Sequence, residues 1–566
     1  MERNFSQLVE RSFDLVVVGG GIHGAWAAWD AALRGLSTAI IEMGDFGQAT
    51  SANSLKTVHG GLRYLQDLDL NLIRRMIHER KALLRVAPHL VHPLACVMPT
   101  YKRLINSKLV MSAALKLNDL FGFDRNEIDD PGKHLPAGRT ISREECMHLL
   151  PGVDDDDITG GFIWYDAQIY NTERLTLAVI LSAATAGAVA ANYVKATGFL
   201  MDGHRVKGVA AKDMLTGDRI KIRAKAVINA AGPWLDFILG DLPNHHQNRR
   251  FHHSVAMNLV TRQLFTDYAV AVPTRVIGPD GEGKSSQDSQ MLFFVPWRDH
   301  SIIGTHHTMV GDLYHEASYY DERISRFLED VNSAYPGGQL KREDVSFVHL
   351  GYLPAHPSNG SRVAKLVRRG QVYNHAKLDG VGGLVTMLGV KYTSARYIAE
   401  QAVDLASEMS GMKSSPSQTD NTPITGGDIE RFDDFLFGEI KRRANELDKK
   451  TLRRLIYSYG RNYSQLLDST EDGFDNHANL RQSGGMLKAE VLYAVRNEMA
   501  LKLSDVIMRR TELGTAGIPT ESCLERCADL MGAELGWDDD KKRREIEEAR
   551  AYYCLETRMK LHRFPS

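Results

Sequence analysis

The chain has 566 residues, beyond the size at which one hydrophobic core stops growing, so two or three packed domains with a large buried site are expected. Its 69 Lys+Arg nearly balance 71 Asp+Glu, and its 43% apolar and 25% charged fractions are ordinary globular values. The basic excess that phosphate neutralisation demands of a nucleic-acid binder is missing. Cys96, Cys146, Cys523, Cys527 and Cys554 show neither a CxxC pair nor zinc-ligand spacing, which fits a reducing compartment and predicts no metal site. Cys523 and Cys527, four apart on a helix, read as buried small apolar residues. The first six residues are polar and lack the regions of a signal peptide, and no apolar run reaches the roughly 18 residues a membrane span needs. A cytoplasmic protein is expected, one that at most lies on a membrane surface.

In chain order, residues 13–18 form a short β-branched run that ends in Gly19-Gly20-Gly21-Ile22-His23-Gly24, and residues 25–33 are strong helix formers. A second apolar strand, Thr38–Ile41, ends at Glu42 and completes a βαβ-type opening. Residues 47–61 are rich in glycine and serine, and an amphipathic helix follows, with Leu72, Ile73, Met76, Ile77, Leu83 and Leu84 on one face. Residues 193–231 alternate in short segments broken by Asp202-Gly203 and Thr216-Gly217-Asp218, which predicts an antiparallel meander returning through an apolar strand to Ala231. Between 250 and 350, strands at 291–296 and 301–304 and a polar helix at 321–334 suggest a substrate-facing α+β layer. Residues 411–428 are rich in Ser, Pro, Thr and Gly, as a linker is, and the remainder is charged and helix-prone.

In Gly19-x-Gly21-x-x-Gly24, the first glycine permits a tight turn, the second lets the backbone approach a pyrophosphate, and the third lets helix and strand pack closely. The helix N-terminus offers free N–H groups to the phosphates. Glu42 stands at the tip of the next strand, where a carboxylate can accept hydrogen bonds from both ribose hydroxyls. It argues against a 2′-phosphate and leaves FAD or NAD.

The next stretch reads Ala49-Thr50-Ser51-Ala52-Asn53-Ser54-Leu55-Lys56-Thr57-Val58-His59-Gly60-Gly61-Leu62-Arg63-Tyr64-Leu65. It resembles the flavin-binding signature of the FAD-linked glycerol-3-phosphate dehydrogenases and oxidases. The resemblance continues through Asn229-Ala230-Ala231-Gly232-Pro233-Trp234, Val295-Pro296-Trp297, Gly389-Val390-Lys391-Tyr392-Thr393 and Arg509-Arg510-Thr511, and covers nearly the whole chain. It implies FAD as cofactor, hydride transfer from a secondary alcohol to the flavin, and quinone or oxygen as electron acceptor. The implied fold is α/β plus α+β: a Rossmann-type FAD-binding domain (1–95 with 155–250 and 345–410), a mixed-sheet substrate or cap domain (96–154 with 251–344), a linker (411–428) and a helical C-terminal domain (429–566).

By position, the resemblance places Thr50, Ser51, Ser54, Lys56 and His59 along the flavin, lets Gly60 and Gly61 admit the ring, and adds Ala231, Gly232 and Trp234 to the cofactor site. Gly389, Lys391, Tyr392 and Thr393 match the segment that closes over the pyrimidine end, where a cation stabilises the reduced ring. Arg63 is expected to reach an anionic substrate, with Tyr64 beside it.

Three positions depart from the family pattern. Gly-x-Arg-Pro, whose arginine is expected to grip a substrate phosphate, is Gly351-Tyr352-Leu353-Pro354 here. A Ser-His pair falls near Val255-Ala256, and Gly-Thr-Thr-Asp has become Gly304-Thr305-His306-His307. A leucine cannot pair a phosphate. The expected substrate is therefore glycerol 3-phosphate or a related polyol phosphate, with a larger or less charged hydroxyl or amine substrate, or a flavin-binding subunit without turnover, as alternatives. His306 and His307 are candidates for the base that takes the hydroxyl proton, at most one of them facing the site because neighbouring strand residues point apart, with surface or packing roles as the alternative. Tyr352 either stacks on substrate or fills the space of the missing arginine.

Residues 101–123 interleave Lys102, Arg103, Lys108 and Lys116 with Leu104, Leu109, Val110, Met111, Leu115, Leu120 and Phe121. Such a basic amphipathic surface suits an anionic headgroup layer, and equally a cap helix. The family resemblance implies peripheral contact with the inner face of the cytoplasmic membrane, and a homodimer is compatible with the chain.

Overall fold

The structure, a computed structural model, describes residues 1–62, 64, 69–102, 108–154, 157–240, 242, 252–274, 276–277, 283–284, 291–309, 317–356, 365–468 and 485–561. The chain opens with α1 (Phe5–Glu10), β1 (Ser12–Val18), α2 (Ile22–Leu33), β2 (Thr38–Ile41), β3 (Thr57–Val58), α3 (Leu70–Val86) and β4 (Val91–Tyr101). It continues through α4 (Lys108–Phe121), β5 (Arg139–Ile141), α5 (Arg143–Leu149), β6 (Ile158–Ile169), α6 (Thr172–Thr185), β7 (Val189–Ala191), β8 (Val194–Asp202), β9 (Arg205–Asp213), β10 (Arg219–Asn229) and α7 (Leu235–Leu239). Then come β11 (His252–Arg262), β12 (Ala269–Pro273), β13 (Val276–Ile277), β14 (Gly283–Lys284), β15 (Met291–Trp297), β16 (His300–Met309), α8 (Ala317–Ala334), β17 (Val345–Ala355), β18 (Gln371–Asn374), α9 (His375–Leu378), β19 (Leu384–Leu388) and α10 (Ala395–Ser410).

The first sheet runs β18-β19-β10-β1-β2-β7, with the β8–β9 hairpin carried on β10. β1 pairs in parallel with β2 and β10 and is apolar throughout its second half because both faces are covered. Leu15 and Val17 join the core beneath α2, α6 and α10, whereas Val16 and Val18 join the core under the β8–β10 meander and α7.

The second sheet runs β17-β11-β16-β15-β12-β4-β6-β3, with β5 on β6. α8 covers one face, burying Ile324, Phe327 and Val331 against Val255, Met257, Val348 and Leu350. The opposite face looks toward residues 49–61. Sheet membership cuts across the sequence-based division of the chain: β3, β6 and β17, assigned by sequence to the nucleotide-binding part, all pair in the second sheet.

Residues 411–428 lack helix or strand but are not a loose linker. Ser417 donates to Asp30, Thr419 accepts from Arg396, Ile424 N–H donates to the Val86 carbonyl, and Thr425 N–H donates to Ser182. Thr419 and Ile424 are buried, so this stretch straps the helical C-terminal domain to the first sheet. That domain contains α11 (Phe432–Arg442), α12 (Lys449–Tyr459), α13 (Tyr463–Asp468), α14 (Lys488–Glu498), α15 (Leu503–Asp505), a π-type turn (Val506–Arg510), α16 (Glu521–Leu535), α17 (Asp539–Ala551) and α18 (Leu555–Leu561). Among the described residues no helix is long and apolar enough to cross a membrane.

Close backbone approach sets the glycine loop. A Cβ on Gly24 would lie 1.8 Å from the Gly19 carbonyl oxygen, and one on Gly19, at φ +109°, would lie 2.5 Å from the Ala230 oxygen. Gly24→Ala must push α2 away from β1, so it is expected to cost about 1–3 kcal/mol in denaturant unfolding. An unchanged midpoint would contradict this packing.

Candidate active site

At the first sheet, β1, the glycine turn, α2 and β2 form one end of the site. Gly21 caps α2, and Ser51 accepts the Ile22 N–H at 2.9 Å. Glu42 accepts from Gly20 N–H (2.7 Å) and Gly44 N–H (2.9 Å), which fixes its carboxylate beside the glycine turn. Burial raises its pKa. Gly232 adopts φ +56° in the turn Gly232–Trp234 after β10, next to the end of β1. His23, the second residue of α2, packs so closely on Gly389 that a Cβ there would meet its ring at 2.3 Å. Burial holds His23 down at about 4, so it is neutral near pH 7. The tight turn, helix N-terminus and acidic strand tip fit a dinucleotide.

Residues 49–61 bridge the two sheets, and their polar side chains are spent on holding them together. Thr50 Oγ1 donates to the Tyr352 carbonyl (3.1 Å) and accepts the Tyr352 N–H (3.0 Å), while Asn53 accepts the Leu350 N–H. A Cβ on Gly351 would lie 3.1 Å from the Asn53 carbonyl oxygen. Ser54 accepts the Lys56 N–H. Lys56 does not direct its ammonium along a flavin face: it is buried, donates to Thr172 (3.0 Å) and to both oxygens of Glu173 (2.8 and 2.9 Å), and stacks over Trp297. Its backbone φ of +60° turns the chain so that this ion pair forms.

The strongest catalytic geometry lies at the end of this stretch. Asp166, on β6 and only 4% exposed, accepts from His59 Nδ1 (3.1 Å), Gly60 N–H (2.6 Å), Arg80 Nη1 (2.6 Å) and Trp164 Nε1 (3.2 Å). Burial raises its pKa, but His59, Arg80 and the Gly60 N–H outweigh burial and hold it at about 2. A carboxylate can only accept, so His59 carries a proton on Nδ1, and its Nε2 meets the Thr57 hydroxyl at 2.9 Å. The His59 side chain is 44% exposed and packs edge-on against Phe293. Gly60 is compressed against Arg80, where a Cβ would sit 2.1 Å from the guanidinium, and Gly61 adopts φ +91°.

Cross-strand register gathers the three sequence departures onto one sheet face. Leu353 pairs with Ser254, which pairs with Met309; Gly351 pairs with Ala256, which pairs with His307; and His349 pairs with Asn258, which pairs with Gly304. Phe293, the ring against His59, pairs with Gly304, and a Cβ on Gly304 would touch Leu55. This face therefore meets residues 49–61, with Leu353, Ala256 and His307 all upon it.

Three further expectations are corrected. His306 pairs with Met257 on the opposite face, packs on Phe327 of α8, and is held down at about 4 by burial and Arg323, so it lies away from the site. Tyr352 is buried with Val255 and Leu350 in the core beneath α8, which removes it from the substrate face. Tyr392 likewise turns inward, donating to the Thr172 carbonyl, while Thr393 is buried. The Lys391 ammonium stacks over the Tyr64 ring at 4.1 Å. Arg63 lies outside the described residues. Sequence reasoning missed Asp166; its signal was a lone acidic residue in the apolar run Phe162-Ile163-Trp164-Tyr165-Asp166-Ala167.

Residues 14–404 match the family model described as FAD dependent oxidoreductase, and residues 417–542 match the C-terminal domain of alpha-glycerophosphate oxidase. A glycerol-3-phosphate dehydrogenase from Mycobacterium leprae is 32% identical over 94% of this chain and 87% of its own. The chain belongs to the FAD-dependent glycerol-3-phosphate dehydrogenase family. A Synechocystis glycerol-3-phosphate dehydrogenase is 29% identical over 98% of this chain and 100% of its own. The glycerol-3-phosphate dehydrogenase of Bacillus halodurans, solved with FAD, superposes with a TM-score of 0.74 at 26% identity, covering 98% of this chain and 96% of that one. As a member of this family the protein is an FAD-dependent oxidoreductase acting on a CH–OH group, and both the fold class and the cofactor expected from sequence stand.

Asp166 titrates below the ordinary carboxylate value of about 3.9, so its contribution to stability is complete above that value and lost as pH falls through about 2. Asp166→Asn is therefore expected to be less stable than wild type at pH 6, with the gap in denaturant midpoint narrowing between pH 4 and 2. A gap independent of pH would show that the ionised carboxylate is not what matters.

Proposed function

We propose that this enzyme oxidises the secondary hydroxyl of a glycerol-3-phosphate-type polyol phosphate, with His59 taking the hydroxyl proton. The observation that carries the reading is the His59–Asp166 pair beside Phe293 and Gly304. Asp166 fixes the tautomer and stabilises the imidazolium that forms on proton uptake. The substrate hydroxyl takes the place of Thr57 at Nε2, and the exposed imidazole edge leaves room for its approach. FAD, when bound, supplies a two-electron acceptor for the hydride that leaves the carbinol carbon, and the product is a ketone. Glu42 would accept the ribose hydroxyls, the Gly21–Ile22 turn would hold the pyrophosphate, and Gly60 and Gly61 would admit the ring. Lys391, held on Tyr64, places a cation at the pyrimidine end.

Leu353 stands where a guanidinium would grip phosphate, so the phosphate relies on Arg63 and Lys391 and is held more weakly than by a bidentate arginine. A second reading rests on the same observation: the face formed by Leu353, Ala256 and His307 suits a larger or less charged hydroxyl or amine substrate. The acceptor is a quinone reached from a membrane surface, in preference to oxygen. Leu120 and Phe123, 67% and 76% exposed at the end of α4, support that contact.

Anaerobic mixing with glycerol 3-phosphate, glycerol and larger polyol phosphates tests the reading. Bleaching by glycerol 3-phosphate is expected; a yellow spectrum unmoved by it but bleached by a larger or neutral alcohol selects the second reading. Leu353→Arg is expected to tighten the phosphate ester by about tenfold or more through one charge-assisted contact. Unchanged half-saturation would mean that residue 353 does not face the phosphate.

A further inference from the structure

Both guanidinium groups of the Arg509-Arg510 pair, singled out in the sequence, are buried on the nucleotide-binding side. Arg510 donates from Nη1 and Nη2 to the two oxygens of Asp45 (2.5 and 2.8 Å), and Arg509 Nε donates to the same carboxylate at 2.5 Å. The π-type turn Val506–Arg510 brings two consecutive side chains onto one acceptor, an irregularity of the kind found at functional positions. Asp505 receives Arg509 Nη2 (2.7 Å) and the Tyr193 hydroxyl (2.6 Å), and Asn192 donates to Asp45 at 2.9 Å. Asp45, Asp505 and Arg510 are wholly buried, and the arginines outweigh burial to keep Asp45 ionised. Breaking such a pair from one side leaves an uncompensated buried charge.

Asp45 lies three residues after Glu42, in the turn whose backbone pins Glu42. Gly44 N–H donates to the Glu42 carboxylate, Tyr193 N–H to the Gly44 carbonyl, and Gly47 N–H to the Gly20 carbonyl inside the glycine loop. Burial raises the Glu42 pKa, the Gly44 and Gly20 N–H groups lower it, and the charges of Asp45 and Arg509 act on it in opposite senses. At its other end Arg510 is tied to the flavin segment: its carbonyl accepts from Arg174, the neighbour of Glu173, which holds Lys56. We propose that the C-terminal helical domain is a working part of the FAD site, with Arg510, assisted by Arg509, acting as a positioning residue that holds Asp45 and thereby the Glu42 carboxylate in place for the adenosine ribose. The proposal rests on the assignment of Glu42 to the ribose. It makes FAD binding and docking of the C-terminal domain reciprocally coupled.

The test uses full-length apoprotein titrated with FAD, read by flavin fluorescence, for wild type, Glu42→Gln, Arg510→Met and the double variant, at a temperature where circular dichroism shows each one folded. Arg510→Met is expected to weaken FAD by about tenfold, and the double variant to bind no more weakly than Glu42→Gln, because both act through one carboxylate. Full FAD affinity in Arg510→Met despite a lowered melting temperature would reduce Arg510 to a structural ion pair and overturn the proposal. Additive losses would overturn it as well. Full affinity in Glu42→Gln would instead overturn the ribose assignment beneath it. Should Arg510→Met fail to fold, hydrogen exchange on wild-type apoprotein decides: ADP is expected to slow exchange at residues 503–511, and no slowing there contradicts the coupling.

Discussion

Four donors converge on one buried carboxylate, and the geometry of the site follows from that convergence. Asp166 receives an imidazole N–H, a backbone N–H, a guanidinium and an indole N–H, which together offset the cost of holding a charge inside the protein. Because Arg80 comes from α3, Trp164 from β6, and His59 and Gly60 from the segment between the sheets, this anion locks three separate parts of the chain. The bond to Gly60 N–H requires the backbone to pass hard against Arg80, where only glycine fits. The His59 tautomer is a consequence of the same arrangement, since a carboxylate can only accept.

The segment around His59 acts as a rivet between the two sheets. Thr50 and Asn53 bond the backbone of β17, and Lys56 is drawn down to Glu173. Its polar side chains thus fix the distance between the nucleotide end and the second sheet. On that face, Leu353, Ala256 and His307 are brought together by strand register although they lie up to about 100 residues apart in sequence. Three departures scattered along the chain share one sheet face: an apolar side chain where a cation is expected, a small one where an imidazole is expected, and an imidazole where an acid is expected.

The nucleotide-binding unit was legible because its constraints are local. The strand, glycine turn, helix and acidic strand tip occur within residues 12–42, and period and turn chemistry report them directly. The meander and α8 were legible for the same reason. Sheet membership was not, because β3, β6 and β17 find partners far away in sequence, and an apolar strand does not announce which sheet it joins. The bridging residues were recognised by resemblance, but the direction of each side chain was not. Lys56 turns into the core through a positive φ, Tyr352 and His306 fall on the α8 face through strand alternation, and Tyr392 is held by Thr172 and Thr176. Asp166 belongs to a pair more than a hundred residues apart in sequence, visible beforehand only as an odd charge in an apolar strand.

The most direct test of the account is the rate of flavin reduction under anaerobic single-turnover conditions in His59→Gln, set beside His307→Gln and His306→Gln. His59→Gln is expected to slow reduction by about 10²–10⁴-fold, the usual worth of a positioned base, while His306→Gln retains nearly the wild-type rate. A wild-type rate in His59→Gln together with collapse in His307→Gln would contradict it and move the base to the strand histidine.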